Sequence, residues 1–211
     1  MRYLSAIMLG LGLMSCNRSN NDEMSRYHED GRAKPSVAVA SMIDTTSFDA
    51  SWNLSEELTS MIVGQISAGG QIFVRSQDES PFTESPFGAD LSWMKREFQS
   101  QEFVVFLELV EHESVPVTKA KNYSPQEVST NLNMAVRLRV IDLRPATPKI
   151  VLQEMVRDSY FVPKTLIPVD YSTAYWGTED YFKTPMGIAH AQLVQEISNR
   201  ISDYILLAKS R

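Results

Sequence analysis

The sequence has almost no cysteine, few histidines, no basic run and no apolar stretch long enough to cross a bilayer. One cysteine, Cys16, in 211 residues excludes a fold stapled by disulfides, which needs pairs; the domain must stand on its packing. Three histidines, with no HExxH, no Cys/His cluster and no EF-hand loop, leave no pattern for a metal site. A net charge of −6 with no cluster of Lys and Arg argues against nucleic acid as a partner. It argues equally against anionic lipid held through a polybasic patch. Gly69-Gly70 lacks the Lys and Ser/Thr of a phosphate-binding loop, and no serine sits in a nucleophile elbow. No cofactor is expected, and the chain reads as a non-enzyme.

What is present begins at the amino terminus. Arg2 precedes an apolar run over residues 3–13 containing Leu4, Ile7, Leu9, Leu11 and Leu13. That is about half the ~20 residues a spanning helix needs, and it fits the central region of a secretory leader. Leu13-Met14-Ser15-Cys16 resembles the lipobox of bacterial lipoproteins, with an aliphatic residue three before the cysteine and a small residue before the cut. The resemblance implies that residues 1–15 are removed and that Cys16 carries the lipid. Each buried methylene contributes ~0.8 kcal/mol to partition, so two or three acyl chains anchor a protein without a transmembrane helix. Asn17 rather than Asp after the cysteine implies sorting to the outer membrane, facing the periplasm. Residues 16–34 carry almost no large aliphatic side chains, and such a stretch reads as a disordered tether.

From Pro35 onward hydrophobic periodicity returns. Val37 opens a short apolar strand, and 44–47 reads as turn material. Leu54, Leu58, Met61, Ile62 and Ile66 recur at helical spacing behind an Asn53 or Ser55 cap, with Glu56 and Glu57 placed for the helix dipole. Gly69-Gly70 stops that helix and residues 71–75 form a second strand. Asp90 caps a helix bearing Leu91, Trp93, Met94 and Phe98. Strands at 103–110, 132–143 and 150–156 follow, the last two joined as an antiparallel hairpin through 145–148. Leu132, Met134, Val136, Leu138 and Val140 share one face of the middle strand, with Arg137 and Arg139 on the other. A helix over 186–208 closes the chain, with a core stripe of Val194, Ile197, Ile201, Tyr204 and Ala208. The order β-α-β-α-β-β-β-α predicts a single α/β (α+β) domain over 35–211, with a mixed sheet of about five strands and helices on one face.

The segments SVAVASMIDTTSFDASWNLSEELTSMIVGQISAGGQIFVRSQDE and RLRVIDLRPATPKIVLQE resemble a group of envelope domains. The group comprises the curli-secretion lipoproteins, the lipoprotein activators of penicillin-binding proteins and the amino-terminal domain of TolB. The chain as a whole is similar to an uncharacterised conserved lipoprotein family of chlamydiae. The shared features are a strand, a loop, an amphipathic helix and a second strand reading IFVR; the resemblance implies an envelope protein and carries over no functional residue.

Two groups of side chains could carry chemistry. Glu108, Glu111, His112 and Glu113 lie together, and strict alternation puts Glu108 and His112 on one face. A solvated strand end fits them better than an acid–base site. Arg137 and Arg139 are expected to pair with Glu108 or Glu154 on neighbouring strands. Seven of the chain's 20 aromatics fall within residues 160–182, in a connection too long for ordinary loops. Its rings either complete the core or form an interface, and Tyr171, Tyr175, Trp176, Tyr181 and Phe182 are the candidate partner-binding residues. The function expected is a lipid-anchored scaffold or binding component of envelope assembly, bound to the membrane through Cys16 and to other envelope proteins. The alternative is a lipid- or lipopolysaccharide-handling assembly lipoprotein.

Overall fold

The computed structural model describes residues 26–76, 84–117, 128–166 and 169–211. The leader 1–15, Cys16 and tether residues 17–25 lie outside them. The chain divides into two compact units, Met1–Lys34 and Pro35–Arg211. In the first, residues 26–34 close a small turn in which Tyr27 and Ala33 form an antiparallel bridge. The Arg32 guanidinium donates to Asp30 at 2.7 Å across it.

The second unit is one mixed α/β domain. Its sheet contains β1 (Ser36–Val39), β2 (Ile43–Asp44), β3 (Phe73–Ser76), β4 (Phe103–Pro116), β5 (Thr130–Asp142) and β6 (Lys149–Val162). The order is β3-β1-β4-β5-β6, with the short β2 also pairing β4. β1 runs parallel to both β3 and β4, and the β4–β5–β6 meander is antiparallel. A strand between two parallel neighbours is covered on both faces and needs no alternation. Val37 and Val39 accordingly enter one core and Ala38 and Ala40 the other.

Among the described residues three α-helices pack on this sheet: α1 (Leu54–Ala68), the one-turn α2 (Met94–Glu97) and α3 (Pro185–Lys209). Asn53 caps α1 by accepting the Glu56 amide at 3.2 Å. Thr184 caps α3 by accepting from Gly187 at 3.0 Å, with Pro185 at the first helical position, where its missing N–H costs nothing. Both long helices pack on the sheet face bearing Leu107, Leu109, Val136 and Leu138. The opposite face is closed over Val104, Phe106 and Ile141 by Trp93, Met94 and Phe98.

Several local expectations change. Asp44, read as the start of a turn, instead joins Ile43 in extending the sheet, where it pairs with Leu109. The helix after Asp90 shrinks to one turn and sits on the face opposite the long helices. Tyr204 is 40% exposed while Ile205 is buried, so the α3 stripe runs through 194, 197, 201 and 205. Arg137 pairs with Glu108 at 3.0 Å. Arg139, only 5% exposed, instead donates to Gln153 Oε1 and to the carbonyls of Pro86, Phe87 and Gly88 at 2.7–3.0 Å. It thereby fastens that loop to the sheet. Glu154 pairs with Arg200.

Gly187 is required by contact. A Cβ there would lie 2.2 Å from the Tyr181 carbonyl oxygen and 3.1 Å from Phe182 Cα. Backbone atoms cannot swing away as a side chain can, so Gly187→Ala should lower stability by about 1–3 kcal/mol. Urea denaturation checks this, and an unchanged midpoint would show that the α3 start is free to shift.

Candidate functional site

The groups with the most chemistry meet beneath the two long helices. Glu57 sits in the first turn of α1, three residues after Leu54 and one before Leu58, on the apolar stripe itself. His190 sits four residues before Val194 on the stripe of α3. Tyr181 comes from the turn before α3, and His112 from β4. Glu57, Tyr181 and His190 have 0% exposure and His112 has 4%.

Glu57 accepts three hydrogen bonds. Trp52 Nε1–H donates to Oε2 at 2.7 Å, Tyr181 O–H donates to Oε1 at 2.5 Å, and His190 Nδ1–H donates to Oε1 at 2.8 Å. The far nitrogen of His190, Nε2, faces His112 Nε2 at 2.8 Å. One of those two nitrogens carries the hydrogen and the other accepts it. His112 Nδ1 has no hydrogen-bond partner among the described residues. The His112 ring is tilted at 58° against Phe48 with centroids 4.3 Å apart, and Trp52 meets Tyr181 edge-on at 5.3 Å.

This arrangement sets the protonation states. Burial alone would raise the Glu57 carboxyl, but its hydrogen bonds and charge contact with His190, then those from Tyr181 and Trp52, hold it below the ordinary range. His112 is pushed down to about 4, first by burial and then by the neighbouring His190. The same burial, with the Glu57 charge, drives the Tyr181 phenol upward. The network is thus an ionised carboxylate, a hydrogen-bonded imidazole and a neutral imidazole in series. A carboxylate that orients an imidazole is half of a general-base device. Here the imidazole's other nitrogen points at a second buried imidazole, and none of these side chains reaches solvent.

His112 is therefore not on a solvated strand end. A bulge explains the difference: Leu109 opposes Val136, yet Glu111 opposes Ala135. The extra residue shifts the alternation by one. Glu108 stays on the outer face with Glu111, and His112 turns inward with Leu107 and Leu109.

The aromatic connection divides. Tyr181 is in the core, while Tyr171 and Trp176 are half-buried and pack against it. Tyr175 and Phe182 are 46% and 48% exposed. Phe182 also ends a groove of about 800 Å³ along the outer side of α3, with Ile188 and Ala191 beside it and Glu196, Arg200 and Asp203 farther along. Among the described residues, no three His, Cys, Asp or Glu side chains are placed to hold a metal. Nor is any described helix long and apolar enough to cross a membrane.

A model of a family of unknown function, DUF7499, matches residues 23–209. No curated protein matches the chain. Among solved structures, hypothetical protein CT253 from Chlamydia trachomatis is similar with a TM-score of 0.66 and 23% identity, over 82% of this chain and 98% of that one. Protein XCC0632 from Xanthomonas campestris, of family DUF330, has a TM-score of 0.48 and 8% identity over 84% and 88%. A minor lipoprotein from Acinetobacter baumannii has 0.39 and 12% over 79% and 90%. The chlamydial protein shares the fold. These similarities do not single out the curli-secretion, penicillin-binding-protein-activator and TolB grouping.

Proposed function

We propose that this chain, which belongs to the DUF7499 family of unknown function, is a lipid-anchored lipoprotein of the bacterial envelope. In this reading it acts without enzymatic chemistry, as a scaffold or binding component of envelope assembly on the periplasmic side of the outer membrane. The observation that carries the non-enzymatic part is the 0% exposure of Glu57, Tyr181 and His190. A general base must come within hydrogen-bond reach of a substrate proton, and these groups reach only one another. Their arrangement suits a polar clamp that sets α1, α3 and β4 in one register. The anchoring part rests on the lipobox-like Leu13-Met14-Ser15-Cys16 and the polar segment behind it. Tyr175 and Phe182 supply the exposed rings that a protein partner would cover.

Cys16→Ala should abolish acylation and leave unprocessed precursor in cells fed a clickable palmitate analogue. Label retained by the variant would sink the anchoring reading. For the binding reading, a photo-cross-linking residue at position 175 or 182 should give one discrete adduct with an envelope protein, and one placed at the exposed Arg32 should not. Equal smears from both positions would count against a dedicated surface.

A further inference from the structure

His112 ends the buried network, and a lightly held segment covers it. Its Nδ1 has no hydrogen-bond partner among the described residues, although the residue is only 4% exposed. Phe48 lies against the ring, with centroids 4.3 Å apart. Phe48 belongs to a strap, residues 46–51, between β2 and α1. Thr45 fixes one end, its amide and hydroxyl both donating to the Leu109 carbonyl at 3.0 and 2.9 Å. At the other end Ser51 Oγ donates to the Tyr171 carbonyl at 3.4 Å, and Trp52 donates to Glu57 at 2.7 Å. Between these anchors, among the described residues, 47–50 donate only from the Phe48 amide to Thr46 Oγ1, at 3.5 Å. The middle of the strap is held by packing of Phe48 and Ala50 on the core.

A proton added to His112 has no good place in this network. His190 Nδ1 is committed to Glu57, and the two Nε2 atoms share one hydrogen. Whichever Nε2 bears it, the added proton becomes an Nδ1–H with no acceptor or a second hydrogen between the rings. Either way a cation stands where water does not reach, which is costly. The ionisable groups facing it come from three elements: His190 of α3 opposes the proton, while Glu57 of α1 and Asp44 of β2 favour it. β5 presents Met134, and Glu111 and Glu113 project from the other face of β4. Tyr181 spends its hydroxyl on Glu57, and Asp49 on the strap itself is exposed. Lifting Phe48 brings water to Nδ1 and breaks no described hydrogen bond between the middle of the strap and the sheet.

We infer that the Phe48 strap is an acid-operated lid, which opens when His112 takes a proton while the rest of the domain stays folded. In the open form water reaches the imidazole, which titrates near its ordinary 6.5; in the closed form it does so only near 4. Between those values the open form binds the extra proton. The ratio of open to closed therefore rises by about tenfold for each pH unit of descent. The consequence is a surface that changes with acidity. Phe48 comes free beside Tyr171, to which Ser51 joins the strap. The lid depends neither on acylation nor on the scaffold reading.

Fluorine NMR of the full-length protein tests this, with 4-fluorophenylalanine in place of Phe48 and a titration from about pH 7.5 to about pH 4.5. A second sample carries the label in place of Phe98, in the core on the opposite sheet face. As pH falls, the signal at position 48 should pass from its buried to its solvent-exposed value, while the signal at 98 stays buried. In His112→Phe, which has no titrating ring there, the signal at 48 should stay buried over the same range. Phe48→Ala removes the cover, so the imidazole protons of His112 should titrate closer to 6.5 than in the parent. A signal at 48 that stays buried throughout overturns the lid. So does one that changes only together with the signal at 98, which is unfolding. A signal at 48 that opens equally in folded His112→Phe, or a Phe48→Ala variant with an unmoved His112 midpoint, removes the link between strap and imidazole and overturns it as well.

Discussion

His190→Ala should lower the unfolding free energy of the domain by about 3 kcal/mol or more, because it strips a buried carboxylate of one of its hydrogen-bond donors. The variant leaves Glu57 ionised in a place with 0% exposure, with Trp52 and Tyr181 as its remaining donors. It also takes away the group facing His112 Nε2 and leaves a cavity between α3 and β4. Replacing Glu57 and His190 together by Leu should recover part of the loss, because two apolar groups strand no charge. The double-mutant cycle should therefore show a coupling of more than ~1 kcal/mol between residues in direct contact. Urea denaturation of the parent, Glu57→Leu, His190→Leu and the double Leu variant measures it. If His190→Ala cost less than about 1 kcal/mol while abolishing a measurable reaction, the clamp reading would be wrong and a catalytic one would replace it.

Acid should weaken the domain through His112 before it reaches the carboxylates. In the unfolded chain this imidazole takes a proton near its ordinary 6.5; in the folded protein it does so only near 4. Between those values the unfolded state binds the extra proton, so stability is fully present above about pH 6.5 and declines as pH falls toward 4. A shift of that size corresponds to about 3 kcal/mol. The groups around His112 act in both directions: His190 opposes its protonation, while Glu57 and Asp44 favour it. Glu57, held below its ordinary 4.5, adds a further loss in the same direction at lower pH. Denaturant midpoints at pH 7, 6, 5 and 4.5 should fall steadily. His112→Phe, which keeps a ring against Phe48, should flatten that decline. A decline of the same slope in the variant would place the titrating group elsewhere.

Much of the clamp was visible in the pattern of the chain without being recognised there. Glu57 falls on the stripe of Leu54, Leu58 and Ile62, and His190 falls on the stripe of Val194, Ile197 and Ile201. A titratable residue at a core-facing helical position must be paired when buried, so both positions carried a signal. Reading Glu57 as a first-turn acid favouring the helix dipole accounted for its position along the helix and overlooked its face. His112 carried no such signal. Its inward direction depends on the bulge between Leu109 and Glu111, which no residue in LVEHE announces. Tyr181 stands undivided from the other candidate partner-binding rings in the sequence, because a connection without periodicity gives no indication of which side chains turn inward.

Local pattern was enough to place the long elements and to give their types. Asn53 marks a helix start, Gly70 takes the positive φ of 69° after α1, and the alternation in β5 identifies its buried face. These features rest on interactions within a few residues, which local periodicity and capping record. Tertiary structure alone decided which residues meet. The contacts of the clamp span 78, 124 and 133 residues of chain. They depend on the placing of β1 between β3 and β4, on the shift of one residue in β4, and on both long helices choosing the same sheet face. Burial pressed the Glu57, His190 and His112 side chains into one dry place, where the cost of an unpaired polar group makes their mutual hydrogen bonds obligatory.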